Sequence, residues 1–353
     1  MSDWLWIVLG LVILTGGAEV LVRGASRLAR LAGLSPLVVG LTVVAYGTSA
    51  PEVAVSLKAA LSGQADLALG NVVGSNTFNV LFILGLSALV APLAVSGQLV
   101  RLDVPVMIGV VLLGWALGAD GSIGRIDGAA LALGGIAYTA FLVRKGRRDA
   151  AQEPPPPDLP RGPRSLLLSA GAVVLGLAFL VLGGRWLVSG AVGVARGLGV
   201  SELLIGLTIV SAGTSLPEVA TSVMATIRGE REIAIGNVVG SNIFNVLVVL
   251  GLSAAVSGDV AVSPAVARFD YPVMAAVCVA CLPVFFTEGR VDRWEGALFL
   301  AYYAAYVGYL ALKDAEHQAL PLLSEVTLAF VLPATVLGVG LSVLAALRAR
   351  RRA

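Results

Sequence analysis

Charge is what this sequence has least of: Asp, Glu, Lys and Arg together make up 13% of its 353 residues, about half the usual share of a soluble domain. A solvated globular surface cannot be built from so little charge. The formal net charge of +2 resides in polar connections and implies no nucleic-acid partner. Cysteine is limited to Cys278 and Cys281, three apart and on one face of an apolar helix, where they read as packing residues and not as a redox or metal pair. The single histidine, His317, falls in a polar connection and reads as solvated. The absence of a Cys/His cluster argues against a zinc, copper or iron centre. Nothing points to an enzyme, and no cofactor is expected.

Apolar residues fill the space that charge leaves, at 58% of the chain and a mean hydropathy of +0.92. A spanning helix needs roughly 20 mainly apolar residues. Cutting the chain at its polar interruptions predicts eleven spans, near 4–22, 36–61, 67–90, 104–118, 126–143, 165–187, 203–227, 233–256, 270–286, 292–312 and 326–347. With the N-terminus outside, 18 of the 24 Lys and Arg residues fall in internal connections, so the positive-inside rule orients the chain N-out and C-in. The start, Met1 to Leu14, has no basic region and reads as part of a retained first span. Membrane lipid is therefore a partner, whereas the oligomeric state is left open.

One self-match organises the chain. At an offset of 166 residues, Ser35–Ser87 meets Ser201–Ser253 with 32 of 53 positions identical, more than shared hydrophobicity can produce, so the chain contains a duplication. Five spans separate a residue from its counterpart, and an odd number of crossings inverts the second copy, a plan used by secondary transporters with a site at the bilayer midplane. The expected fold is an all-α polytopic membrane protein. A first repeat covers 1–143, a linker with the polyproline run Pro154–Pro157 covers 144–164, a second repeat covers 165–312, and an extra helix with a basic tail covers 313–353. The linker reads as extended and cytoplasmic.

Each copy places a carboxylate inside an apolar helix, Glu52 and Glu218. A charge there costs at least ~2.5–3.5 kcal/mol on insertion scales and must face a partner, water or an ion. Thr48 and Ser49, four and three positions before Glu52, can share its helical face, as Thr214 and Ser215 do for Glu218. Pro51 and Pro217 leave the carbonyls of Gly47 and Gly213 without their usual donors, and loosened backbone at membrane depth can coordinate ions. A second segment, GNVVGSN at Gly70–Asn76 and again at Gly236–Asn242, precedes Asn79 and Asn245. Ser75 and Asn79 lie four apart on one face, as do Ser241 and Asn245. Asn71, Asn76, Asn237 and Asn242 read instead as groups that satisfy loosened backbone. Gly70, Gly74, Gly236 and Gly240 read as points of close helix packing. All these ligands are oxygens, which hard cations such as Na⁺ and Ca²⁺ prefer.

GTSAPE at Gly47–Glu52 with GNVVGSNTFN at Gly70–Asn79, and GTSLPE at Gly213–Glu218 with GNVVGSNIFN at Gly236–Asn245, resemble the cation/calcium antiporter superfamily, specifically its prokaryotic sodium/calcium exchanger branch. The resemblance implies a ten-helix core of two inverted five-helix repeats in a prokaryotic inner membrane. It implies Glu52 and Glu218 as principal ligands, assisted by Thr48, Ser49, Thr214, Ser215, Ser75 and Ser241 and by backbone carbonyls near Ala45 and Ser211, with Asn79 and Asn245 completing the ring. Na⁺ and Ca²⁺ are the implied substrates, exchanged by alternating access with gating segments from the first and sixth spans. There are two departures. Asn245 stands where some exchangers carry Asp, and the stretch 326–347 is additional. The rivals are a proton-coupled divalent-cation antiporter using the same glutamates, a channel, and a receptor or scaffold.

Overall fold

Eight helices among the described residues are long and apolar enough to cross a bilayer, and a bent pair makes a ninth. The computed structural model describes residues 3–150, 162–199 and 211–314, with the single positions 320 and 340. The expected helix at 326–347 apart from position 340, His317, the polyproline run and the first part of the expected seventh span lie outside the described residues.

In chain order the long elements are α1 (Asp3–Ala32), the bent pair α2 (Pro36–Thr48) and α3 (Ala50–Leu61), α4 (Ala65–Val90), α5 (Leu99–Leu117) and α6 (Arg125–Ala150). The second half supplies α7 (Pro163–Gly197), α8 (Leu216–Ile227), α9 (Arg231–Ser257), α10 (Val266–Phe286) and α11 (Arg293–Asp314). Helices α1 and α7 outrun the predicted spans 4–22 and 165–187. The polar ends remain helical: in α1, Arg23 pairs with Glu19 one turn back, and Asp3 and Arg30 sit at the ends that the helix dipole favours. Gly33, at φ 64°, stops that helix. Ser35 then caps α2 by accepting the Val38 N–H at 3.2 Å, and Pro36 occupies the first turn.

Two short antiparallel ladders reveal how the copies are arranged. Strand β1 (Leu93–Ala94) precedes α5 and β2 (Ser122–Gly124) follows it; β3 (Asp259–Ala261) precedes α10 and β4 (Arg290–Val291) follows it. The first strand pairs with the fourth through Leu93 and Val291, and the second with the third through Ile123 and Val260. Thus the start of α5 lies beside the end of α10. Since these helices are counterparts, the two copies run in opposite directions, and each ladder strand lies at the other end of the pair from its own counterpart.

Helices α1 and α7 pack along a ladder of glycines seven residues apart, Gly10, Gly17 and Gly24 against Gly176, Gly183 and Gly190. A Cβ added at Gly10 would fall 2.4 Å from the Leu187 nitrogen, and one at Gly183 2.4 Å from the Leu14 nitrogen. Backbones meet there directly, the close approach that small residues allow in membranes. Gly236 and Gly240 likewise meet the backbone at Leu37 and Leu41. The equivalent neighbours of Gly70 and Gly74, positions 203 and 207, fall outside the described residues.

Helices α4 and α9 form the centre, buried along most of their length, while α6 and α11 turn most of their surface outward. Leu133, Ile136 and Phe141 on α6 are exposed, as lipid-facing side chains are. The chain is an integral membrane protein.

Candidate functional site

The break between α2 and α3 positions the first carboxylate. The two helices meet at 47°, and Ser49 at the junction has φ −81° and ψ 9°, outside the helical region. Pro51 supplies no N–H there. In the second copy Ser215 has φ −90° and ψ 7° just before α8, with Pro217 in the first turn. Because the helix is interrupted between each serine and its glutamate, the i, i+3 spacing no longer stacks the two. Each serine crosses to the other half instead: Ser49 Oγ donates to Glu218 Oε1 at 2.9 Å, and Ser215 Oγ donates to Glu52 Oε1 at 3.0 Å. Ser75 Oγ lies 3.4 Å from Ser215 Oγ. Both glutamates are buried, with 1% and 2% of their surface exposed, and among the described residues neither enters an ion pair.

The paired Gly-Asn segments brace these helices. Asn71 Nδ2 donates to the Glu52 carbonyl at 3.2 Å and to Ser56 Oγ at 2.8 Å. Asn237 Nδ2 repeats the pattern on the Glu218 carbonyl at 3.4 Å and Ser222 Oγ at 2.9 Å. Asn237 Oδ1 also accepts from Thr48 Oγ1 at 3.1 Å. The Ala45 carbonyl accepts the Ser49 N–H at 3.1 Å and faces Thr48 Oγ1 at 3.3 Å. Ser211 opens the single helical turn Ser211–Gly213.

Asn79 and Asn245 each begin a π-helical segment, Asn79–Leu84 and Asn245–Leu250; such wider turns interrupt the regular ladder and occur frequently at functional sites. Their amide groups point across the two-fold arrangement. Asn79 Nδ2 donates to Asn242 Oδ1, and Asn245 Nδ2 donates to Asn76 Oδ1, both at 3.0 Å. What remains is a set of buried oxygens without a hydrogen-bond partner: Glu52 Oε2, Glu218 Oε2, Asn79 Oδ1, Asn245 Oδ1, Thr214 Oγ1 and Ser241 Oγ. Buried polar atoms are nearly always paired. These six come from both repeats and include the second oxygen of each glutamate, a contact that a hard cation can supply. No cluster of three or more His, Cys, Asp or Glu gathers among the described residues, so the charge of the donor set comes from the two glutamates alone.

Ser56, Ser222, Met107 and Cys278 are contacts that sequence reading missed. The serines carry a signal in retrospect, since both lie four residues after a motif glutamate. Met107 and Cys278 carry none, being apolar residues on distant helices that reach Asn242 Nδ2 only in the folded chain.

The family model described as "Sodium/calcium exchanger protein" matches residues 2–144 and 168–312. Inner membrane protein YrbG of Escherichia coli (strain K12) is 39% identical over 279 residues, covering 77% of this chain and 85% of that protein. Sodium/calcium exchanger MaX1 of Methanosarcina acetivorans is 31% identical over 341 residues, covering 86% of this chain and 97% of its own length. Among solved structures, the sodium-calcium exchanger NCX_Mj soaked with 10 mM Na⁺ and zero Ca²⁺ superposes with a TM-score of 0.77 at 30% identity, covering 87% of this chain and 98% of that one.

Proposed function

Because the chain belongs to the sodium/calcium exchanger family of cation/Ca²⁺ antiporters, we propose that it exchanges Na⁺ for Ca²⁺ by alternating access at one site shared between two inverted five-span repeats. The repeats are 1–143 and 165–312, joined by a cytoplasmic linker at 144–164, which is not extended throughout, since α6 continues through Arg144–Ala150 and α7 begins at Pro163, and followed by an additional helix within 313–353. The ligands are Glu52 and Glu218, with Asn79 and Asn245, the hydroxyls of Thr48, Ser49, Thr214, Ser215, Ser75 and Ser241, and backbone carbonyls near Ala45 and Ser211.

The observation that carries the reading is the reciprocal pair of hydrogen bonds, Ser49 to Glu218 and Ser215 to Glu52. Each glutamate has one oxygen held from the opposite repeat and its second oxygen unpartnered. A carboxylate so arranged is oriented and still has a free ligand atom. Coupling then follows from competition: Na⁺ and Ca²⁺ need the same two charges, so one leaves before the other binds. Two carboxylates balance one Ca²⁺, whereas three Na⁺ leave the loaded site at +1.

The test is uptake of radiolabelled calcium into proteoliposomes against imposed Na⁺ and H⁺ gradients. Uptake should follow an outward Na⁺ gradient and vanish when Glu52→Gln is combined with Glu218→Gln. Uptake driven by a pH gradient without Na⁺ would replace this reading with a proton-coupled antiporter using the same glutamates, and full activity in the double variant would remove the site itself.

A further inference from the structure

The carboxamides that aim oxygens at the site are themselves oriented by a relay, and it ends differently in the two halves. Asn79 and Asn245 spend their NH₂ groups on Asn242 and Asn76, which leaves their oxygens, Asn79 Oδ1 and Asn245 Oδ1, buried and without a hydrogen-bond partner. A second carboxamide is reversible, however. Were Asn242 turned over, it would present NH₂ to Asn79; Asn79 would then offer its oxygen to Asn242 and its own NH₂ to the cation. Each relay therefore needs a far end that accepts and cannot donate.

For Asn76 that end is the Asn242 backbone carbonyl, which its Nδ2 reaches at 3.2 Å. For Asn242 it is sulfur: Nδ2 lies 3.6 Å from Met107 Sδ and 3.9 Å from Cys278 Sγ. A thiol can act in either sense, whereas a thioether only accepts. On the reading that this site binds Na⁺ and Ca²⁺, we propose that Met107 is a positioning residue that sets the orientation of Asn242 and, through it, the Asn79 ligand oxygen. Met274 matches Met107 in the second repeat through Pro105-Val106-Met107 and Pro272-Val273-Met274, one residue beyond the offset of 166, and is fully buried, but the relay from Asn76 ends on backbone and does not require it. The two ligand arms are thus alike in sequence and unequal in support.

The experiment compares purified full-length wild type, Met107→Leu, Met274→Leu, Asn79→Ala and the Met107→Leu/Asn79→Ala double variant. Ca²⁺ and Na⁺ dependence of thermal unfolding is read alongside the Ca²⁺ KM for exchange in proteoliposomes. Met107→Leu should raise the Ca²⁺ KM about fivefold, the scale of one net hydrogen bond. Met274→Leu should leave it unchanged, and Met107→Leu should add nothing once Asn79 is alanine. An unchanged KM in Met107→Leu, an equal rise in Met274→Leu, or additivity with Asn79→Ala overturns the proposal. If Met107→Leu does not accumulate, norleucine in place of methionine removes the sulfur and keeps the shape; the same rise is expected, and its absence is equally fatal. Loss of ion-dependent stabilisation in the wild type itself would instead remove the site reading on which the relay depends.

Discussion

Replacing Glu218 by glutamine removes one of two formal charges while keeping the side chain's size, and its effect can be worked from the geometry. The amide oxygen can keep the Ser49 bond that Glu218 Oε1 now accepts at 2.9 Å; the NH₂ group then falls where the unpartnered Oε2 stands. The variant thus loses a charge and presents a donor to the ion. At about 4 Å and an effective dielectric of about 20, one unit charge interacts with another by about 4 kcal/mol. The same arithmetic gives about 8 kcal/mol for Ca²⁺ and about 4 kcal/mol for a single Na⁺. The difference of about 4 kcal/mol corresponds to roughly a thousandfold change in the Ca²⁺ to Na⁺ affinity ratio. Ion titrations followed by thermal unfolding of purified protein would measure both affinities. Glu218→Asp, which keeps the charge and shortens its reach, should weaken both ions with little change in their ratio. Equal losses for Na⁺ and Ca²⁺ in Glu218→Gln would refute the argument, because then the carboxylate is not acting through its charge on the ion.

Three further outcomes follow from the described contacts. Ser49→Ala and Ser215→Ala each remove a hydrogen bond to a buried carboxylate, worth about 1.5–3 kcal/mol, so the Ca²⁺ KM in proteoliposomes should rise about 10- to 100-fold in either variant and by similar factors in both. Gly183→Ala places a Cβ 2.4 Å from the Leu14 nitrogen and should destabilise the protein by about 1–3 kcal/mol in thermal unfolding, whereas Gly171→Ala, which meets nothing within 4 Å, should change stability by less than about 0.5 kcal/mol. Asn237→Ala should lower thermal stability more than Asn71→Ala, because Asn237 also accepts from Thr48 and each bond contributes about 0.5–1.5 kcal/mol.

Much of the architecture is legible in the sequence, for a definite reason. The duplication survives as identical letters, so Glu52 and Glu218, Asn79 and Asn245, and the paired Gly-Asn segments stand out without a structure. Apolar runs mark membrane helices well because the bilayer leaves few alternatives. What could not be read was direction. Helical spacing put Ser49 over Glu52, yet the break at Ser49 turns its hydroxyl to Glu218; a periodicity argument assumes an unbroken helix. The π-helical segments at Asn79 and Asn245 leave no mark in residue type. Neither does the role of Met107, whose neighbour Asn242 is 135 positions away. The helix ends were also understated, since Arg-bearing turns of α1 count as polar connection in a hydropathy reading and remain helical in the chain.

The crossed serine bonds have a consequence for how such a gene can be divided. Each repeat carries a glutamate whose hydrogen-bonding serine is encoded in the other, so a half-length polypeptide has a carboxylate in the bilayer and no donor for it. Two copies of one half could complete each other only by inserting in opposite orientations, which a strong bias of basic residues to one side disfavours. Joining the halves in a single chain removes that requirement, since each half can carry its own distribution of basic residues while the serines are exchanged. Expressed as two separate polypeptides, residues 1–150 and 162–353 should therefore regain transport together and show none alone.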